Sequence, residues 1–131
     1  MAILMPSLGR REGERVDAGA QEAIARALGI ERARTHHRIA ALTRDFDEIV
    51  ERSTEASRDD EHDPEGSTIA FERAQVSALL DAAKAQLRDV EVAAQRLAAG
   101  DHGSCERCGR AIPAERHRVR PTARTCVACA R

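Results

Sequence analysis

Apolar side chains recur at helical spacing along two stretches of the chain. The first stretch runs over residues 18–56 and the second, which begins after Gly66, runs to residue 99. In both, intervals of three and four residues alternate, as in the run Ile39, Leu42, Phe46, Ile49. This alternation is typical of the heptad seam along which two helices pack. The pattern therefore predicts two long helices, although Gly29 leaves open a break in the first helix after Leu28.

The two seams match each other if the chain folds back about Glu61. Each residue of the first helix then faces the residue equally far beyond Glu61, and no layer is skipped. The predicted pairs are Leu42 with Leu80, Phe46 with Val76, Ile49 with Arg73, Leu28 with Ala94, and Ala25 with Leu97. A shift by one heptad satisfies the same spacing. The pattern predicts an antiparallel coiled-coil hairpin, with the stems of Arg32 and Arg73 along the seam and their charges in water.

All four cysteines fall in two short knuckles near the C-terminus. They are Cys105, Cys108, Cys126 and Cys129, in the spacing C-x2-C-x17-C-x2-C. Two residues between cysteines direct both sulfurs of a turn at one ion, and two such turns supply the four thiolates that structural zinc prefers. Two disulfides, a redox pair or an iron–sulfur centre are the alternatives. The spacing favours one structural Zn²⁺, and a closed four-thiolate site leaves no open position for catalysis.

Composition fits this architecture. The chain of 131 residues has two phenylalanines, no tryptophan and no tyrosine, and 33% of its residues are charged. Such a mix suits amphipathic helices better than a rounded core. We predict an all-α protein with a flexible N-terminal segment (1–17), a coiled-coil hairpin (18–100) with an acidic tip at 57–66, and a zinc finger (101–131). The opening residues do not resemble a secretory signal and no stretch is long enough to span a membrane, so a cytoplasmic protein is expected.

Charge is unevenly distributed along the chain. Residues 45–65 carry ten acidic residues against two arginines, whereas residues 101–131 carry seven arginines against three acidic residues. The basic finger is either a phosphate-binding face or a solvated surface. An acidic tip would be repelled by duplex DNA, so direct DNA binding is not expected.

The acidic tip can be interpreted in several ways. Residues 61–72 can be laid on a calcium loop, but glutamate stands where that motif calls for aspartate or asparagine. A catalytic carboxylate pair needs burial that the end of a thin hairpin does not offer. Asp63 before Pro64 is a good helix N-cap. Capping alone does not explain so many neighbouring acids, which make sense if a partner presents cations.

The finger resembles the DksA/TraR family of bacterial transcription regulators. The resemblance is carried by residues 100–130, GDHGSCERCGRAIPAERHRVRPTARTCVACA. The matching positions are Gly103, Cys105, Cys108, Gly109, Ile112, Arg116, Pro121, Cys126 and Cys129. His102 stands where the family has an aromatic residue, and His117 and Val119 stand where it has leucine and alanine. With the hairpin, the resemblance covers about residues 20–131.

The resemblance implies a hairpin that enters the secondary channel of RNA polymerase, with tip carboxylates near the catalytic magnesium. The family's tip motif is D-x-x-D-x-A; Asp60 and Asp63 have this spacing, and Glu65 stands in place of the alanine. Some members bind the alarmone ppGpp through basic residues. Arg120 matches one of these positions, whereas Asp89 and Ala130 fall near the other two.

We therefore expect a non-enzymatic, zinc-binding transcription regulator that binds RNA polymerase through Asp60, Asp63 and Glu65. The alternative is a zinc-finger interaction protein whose basic finger binds nucleic acid or another protein. An acidic tip discriminates the two, because a polymerase-channel ligand has a use for it and a nucleic-acid binder has none.

Overall fold

The computed structural model describes residues 18–56 and 64–130. These residues form two long helices, α1 (Ala18–Ala56) and α2 (Pro64–Ala99), a short helix α3 (Ala114–Val119) and a 3-10 turn (Val127–Cys129). Within the described ranges the only β-type pairing is an isolated antiparallel bridge between Ser104 and Ala111. The all-α prediction is confirmed. The N-terminal segment 1–17 and the part of the acidic tip from 57 to 63 lie outside the described residues.

Helix α1 continues through Gly29, so the break left open after Leu28 does not occur. A glycine inside a helix costs about 1 kcal/mol relative to alanine, which its neighbours can offset. Here the flanking sequence ARALGIERAR consists mainly of residues with good helix propensity. A lone glycine in such a context is tolerated.

Helix α2 has a distinct signal at each end. It begins at Pro64, whose missing N–H is not needed in the first helical turn. It ends in a left-handed Gly100 with φ 83°. The Gly100 amide donates to the Leu97 carbonyl at 3.2 Å and the Asp101 amide to the Arg96 carbonyl at 2.9 Å. These two bonds form a Schellman motif and satisfy carbonyls that the helix end would otherwise leave free.

The chain divides into two compact units. One unit comprises Gly29–Glu91, the adjoining parts of α1 and α2. In it the helices pack in the predicted antiparallel order, because Arg52 pairs with Glu72 at 3.1 Å and Arg32 with Glu91 at 3.7 Å. Both partners lie within two residues of the positions that folding about Glu61 predicts. The buried side chains of this unit are Thr35, Ile49, Ala83 and Val90.

Two polar seam positions behave differently. Thr35 is only 4% exposed, and its hydroxyl donates to the Glu31 carbonyl one turn earlier at 2.7 Å. This local bond allows a hydroxyl to sit in the seam without an unsatisfied group. The Arg32 side chain, in contrast, extends to solvent and pairs there with Glu91, as predicted.

The predicted seam is wrong at two positions. Ala25 and Ala94 are exposed, while Ile24 and Ala93 next to them are buried. A straight helix drifts by about 20° per heptad from a strict seven-residue repeat, so over three heptads of α1 the buried face moves to Ile24. Ala93 lies three residues after the buried Val90, an interval that a heptad seam allows as well as the four residues to Ala94. Arg73 is exposed, which agrees with the prediction that its charge lies in water.

The other unit comprises the described residues up to Leu28 together with those from Val92 onward. Its buried side chains come from α1, α2 and the finger: Ile24, Leu28, Ala93, His102, Cys105, Ile112, His117 and Ala123. This set is small and contains two histidines and a cysteine. The finger segment therefore has few apolar contacts of its own.

Neither α1 nor α2, as far as the described residues extend, contains an apolar stretch sufficient to cross a membrane.

Candidate metal centre

The first cysteine knuckle is a tight turn closed by backbone hydrogen bonds. The Cys105 amide donates to the Arg110 carbonyl at 2.8 Å, and the Gly109 amide donates back to the Cys105 carbonyl at 2.9 Å. Gly109 has φ 72°, a left-handed conformation that glycine adopts without steric cost. The turn brings the sulfurs of Cys105 and Cys108 to the same site.

The second knuckle is the 3-10 turn that contains Cys129. The Cys129 amide donates to the Cys126 carbonyl at 3.1 Å. Two bonds join this knuckle to the first: the Glu106 amide donates to the Arg124 carbonyl at 2.9 Å, and the Arg107 guanidinium donates to the Cys129 carbonyl at 3.1 Å. The two knuckles thus face each other.

The four predicted ligands converge. Their sulfur atoms all lie within 4.8 Å of one another, and those of Cys108 and Cys126 are 3.7 Å apart. A disulfide requires about 2.05 Å, so the cysteines are unlinked thiols. Four sulfurs at about 2.3 Å from a tetrahedral zinc lie about 3.8 Å from each other. The spacing and the soft donor set both fit one Zn²⁺ in a closed structural site.

The thiols are electrostatically unequal. Burial would raise the pKa of Cys105, but backbone hydrogen bonds from Cys108, Cys126 and Arg107 outweigh it and lower that pKa to about 6. Hydrogen bonds with the sulfurs of Cys126 and Cys108 raise the pKa of Cys129 to about 12. The raised pKa means that the Cys129 thiol retains its proton at neutral pH. A divalent cation replaces that proton when the site is loaded.

Two arginine side chains of this unit hold parts of the finger in place by donating hydrogen bonds to backbone carbonyls. The Arg96 guanidinium donates to the carbonyls of Asp101 at 3.0 Å and Ser104 at 2.7 Å. The Arg116 side chain donates to the Thr125 carbonyl at 2.8 Å. These bonds fix the segments before and after the knuckles. Sequence reasoning missed Arg96, because it lies in α2 and nothing local distinguishes it from an exposed arginine.

The structure also reveals a buried pair of histidines. His102 and His117 are each 2% exposed, and their rings are 4.2 Å apart between centroids. The His102 Nε2 atom lies 2.8 Å from the Pro121 carbonyl oxygen. The signal for this pair was available in the sequence, since both histidines occupy positions where the family pattern has an aromatic or aliphatic residue.

The metal site does not include the predicted alarmone residue Arg120, and the structure does not describe the predicted tip side chains. Asp60 and Asp63 lie outside the described residues, and of Glu65 only the backbone, in the first turn of α2, is described. Arg120 ends α3 with an exposed side chain, and its amide donates to the Arg116 carbonyl at 2.8 Å. The roles assigned to these four residues stay predictions.

Comparisons with known proteins agree with this geometry. Residues 99–131 match the family described as the prokaryotic dksA/traR C4-type zinc finger. Among solved structures, the transcription factor DksA2 from Pseudomonas aeruginosa matches with a TM-score of 0.73 and 23% sequence identity, over 91% of this chain and 86% of that one. No match was found among curated proteins. The chain thus carries the C4-type zinc finger of the DksA/TraR family at residues 99–131, on a fold similar to that of DksA2.

Proposed function

We propose that this protein is a non-enzymatic transcription regulator that binds RNA polymerase and inserts the acidic tip (57–66) into the secondary channel. The observation that carries the proposal is the combination of a DksA/TraR finger with a two-helix fold like that of DksA2. DksA2 is itself a transcription factor. The family resemblance supplies the polymerase as partner.

Surface charge supports insertion of the tip rather than of the finger. In the sequence, the acidic tip follows the last turns of α1, which carry exposed carboxylates at Asp47, Glu48, Glu51 and Glu55. Such a concentration of like charge is unfavourable in the free protein and is relieved by cations on a partner. A metal-containing active centre that handles nucleotides offers such cations. Asp60, Asp63 and Glu65 are the tip residues that we assign to this contact.

The metal centre supports a structural role for zinc. Four cysteine sulfurs within 4.8 Å of one another would fill the tetrahedral shell of one zinc and leave no position for a bound water or substrate. Zinc in this site stabilises the finger and does not activate a nucleophile. The finger then supports docking on the polymerase, and the chain acts without chemistry of its own.

Neutralising the tip acids tests the proposal. We expect the variant Asp60→Asn, Asp63→Asn, Glu65→Gln to lose its effect on transcription by purified bacterial RNA polymerase. A photo-crosslinker placed at position 60 of the otherwise unchanged chain should attach to the polymerase near its active centre. A control variant, Glu22→Gln with Asp81→Asn, removes two exposed acids elsewhere on α1 and α2 and should leave the transcription effect intact.

Three results would contradict the proposal. They are failure of the zinc-loaded chain to bind polymerase at all, equal loss of effect in the tip variant and its control, and a crosslink from position 60 that lies outside the channel.

The alternative function is nucleic-acid binding by the finger. Arg107, Arg110, Arg118 and Arg120 are exposed on it, and exposed arginines are able to contact phosphates. A mobility shift with duplex DNA and single-stranded RNA at about 0.15 M salt separates the two readings. We expect no shift at micromolar protein. A shift that is abolished by Arg118→Gln with Arg120→Gln would favour the alternative.

Arg120 is also the residue that we propose for alarmone binding. Its side chain is exposed and has no polar partner among the described residues. If ppGpp binds at this position of the polymerase complex, Arg120→Ala should abolish any effect of ppGpp on transcription while leaving the basal effect of the protein unchanged. An unchanged ppGpp response would remove Arg120 from the site.

A further inference from the structure

The His102–His117 pair is enclosed on all sides by its own unit. Each residue is 2% exposed and the ring planes are tilted by 34° at a centroid distance of 4.2 Å. One nitrogen of each ring meets the backbone: His102 Nε2 lies 2.8 Å from the Pro121 carbonyl oxygen, and His117 has a backbone hydrogen bond with Ala123. The pair thus joins the segment before the first knuckle, helix α3 and the loop that follows it.

The other nitrogen of each ring has no hydrogen-bond partner. His102 Nδ1 and His117 Nε2 are buried and unpaired. In the neutral tautomers that donate to the two backbone groups, these atoms carry lone pairs. A metal ion does not explain them, because no third ligand group accompanies the pair within the described residues. These two nitrogen atoms are therefore available to accept a proton.

We propose that the buried His102–His117 pair is a proton-sensitive element that makes the folded finger, and with it metal retention, labile in mildly acidic conditions. Protonation of one ring places a charge in a buried site next to a second imidazole. The charge is accommodated only if the rings separate and reach water. Because the rings join the segments that flank both knuckles, their separation opens the finger.

The groups facing the pair oppose its protonation. Arg96 of α2 and Arg116 of α3 are both cations, and the loop after α3 contributes only the Pro121 and Ala123 backbone. Arg96 is itself paired with Glu106 at 3.9 Å. The interactions found for the pair include no carboxylate that would stabilise an imidazolium.

The sign of the pH dependence follows from this environment. Burial, and for His117 also the neighbouring His102, lowers the pKa of each histidine in the folded finger below its ordinary value of 6.5. The open finger therefore binds more protons than the folded one. The contribution of the two histidines to the stability of the folded finger is fully present above pH 6.5 and is lost as the pH falls below it. Each histidine increases the ratio of open to folded finger by up to about tenfold per pH unit in this range.

The test compares acid-induced zinc release from two full-length, zinc-loaded proteins. His102→Phe with His117→Leu restores the residue types of the family pattern and keeps all four cysteines. Acid also protonates the thiolates, so both proteins release zinc eventually. We expect a chromogenic zinc indicator to show half-release from the wild type at a pH higher by about half a unit or more, and with a steeper pH dependence.

The exposed histidines of α1 provide the matched control. His36→Gln with His37→Gln removes the same number of imidazoles from a solvated face and should release zinc as the wild type does. Equal half-release pH in the wild type and the His102→Phe, His117→Leu variant would overturn the proposal.

A second measurement needs no variant in the pair. NMR spectra of the wild type should show the ring signals of His102 and His117 at neutral positions until the finger amides lose their dispersion. If the buried rings titrate reversibly with the finger amides unchanged, the pair is charged inside the folded finger and the proposal fails.

Discussion

At two glycine residues, the local backbone conformation decides whether adding a side chain stabilises or destabilises the protein. Gly29 lies inside α1, and a Cβ added there would meet no atom within 4 Å. Gly100 also has open space around it, but its φ of 83° is one that other residues rarely adopt. The same substitution therefore acts in opposite directions at the two positions.

Replacing Gly29 by alanine should stabilise the protein. Alanine lowers the entropy cost of the helix, so we expect the free energy of unfolding to rise by about 0.5–1 kcal/mol. Gly100→Ala should lower it by about 1–2 kcal/mol because the left-handed conformation is strained for alanine. Urea unfolding monitored by circular dichroism measures both. A destabilised Gly29→Ala variant would show that the helix is not continuous at this residue.

The helices α1 and α2 depend on a narrow seam rather than on overall hydrophobicity. Ile49 of α1 is 5% exposed, whereas Phe71 of α2 is 71% exposed although it is the larger side chain. A seam that takes in every third or fourth residue leaves the rest of each helix in water. Burial, not size, should decide what a truncation costs.

Truncating these two side chains tests the seam. Ile49→Ala removes buried methyl groups and leaves a cavity, so it should lower the free energy of unfolding by about 2–4 kcal/mol. Phe71→Ala should change it by less than about 0.5 kcal/mol. Thermal unfolding followed at 222 nm gives both values. Similar losses for the two variants would mean that Phe71 is buried in solution, for example against a second copy of the chain.

The whole molecule combines long helices that fold through apolar packing with a finger that depends on its metal. The helices α1 and α2 contain 39 and 36 residues, whereas α3 contains six. The finger has few buried apolar groups, among them Ile112 and Ala123. Four thiolates brought to one ion supply the stabilisation that such a small segment lacks.

Metal removal should therefore unfold the finger while the helices α1 and α2 stay folded. We expect metal analysis to give one zinc per chain, and a strong chelator or Cys126→Ser with Cys129→Ser to abolish the dispersed finger signals in an NMR spectrum. Most of the helical circular dichroism should persist. Ala128→Ser, a change between the same two ligands, should retain the zinc. Full loss of helicity on chelation would show that the helices need the finger to fold.

Much of this architecture was predictable because its causes are local or periodic. Alternating three- and four-residue intervals predict the two helices and the antiparallel order that the Arg52–Glu72 pair confirms. The spacing of the cysteines predicts the four-sulfur cluster, since a C-x2-C turn directs its own sulfurs. Pro64 and Gly100 mark the ends of α2 through the backbone conformations they favour.

The sequence by itself determined the helices, the central part of their seam and the four metal ligands. Tertiary structure alone decided that Ile24 and Ala93 are buried in place of Ala25 and Ala94, that Arg96 holds the finger, and that His102 and His117 stack out of water. The reason is physical: helix propensity and turn geometry depend on neighbours along the chain. The hydrogen bonds of an arginine and the burial of a histidine depend on which distant segments surround them.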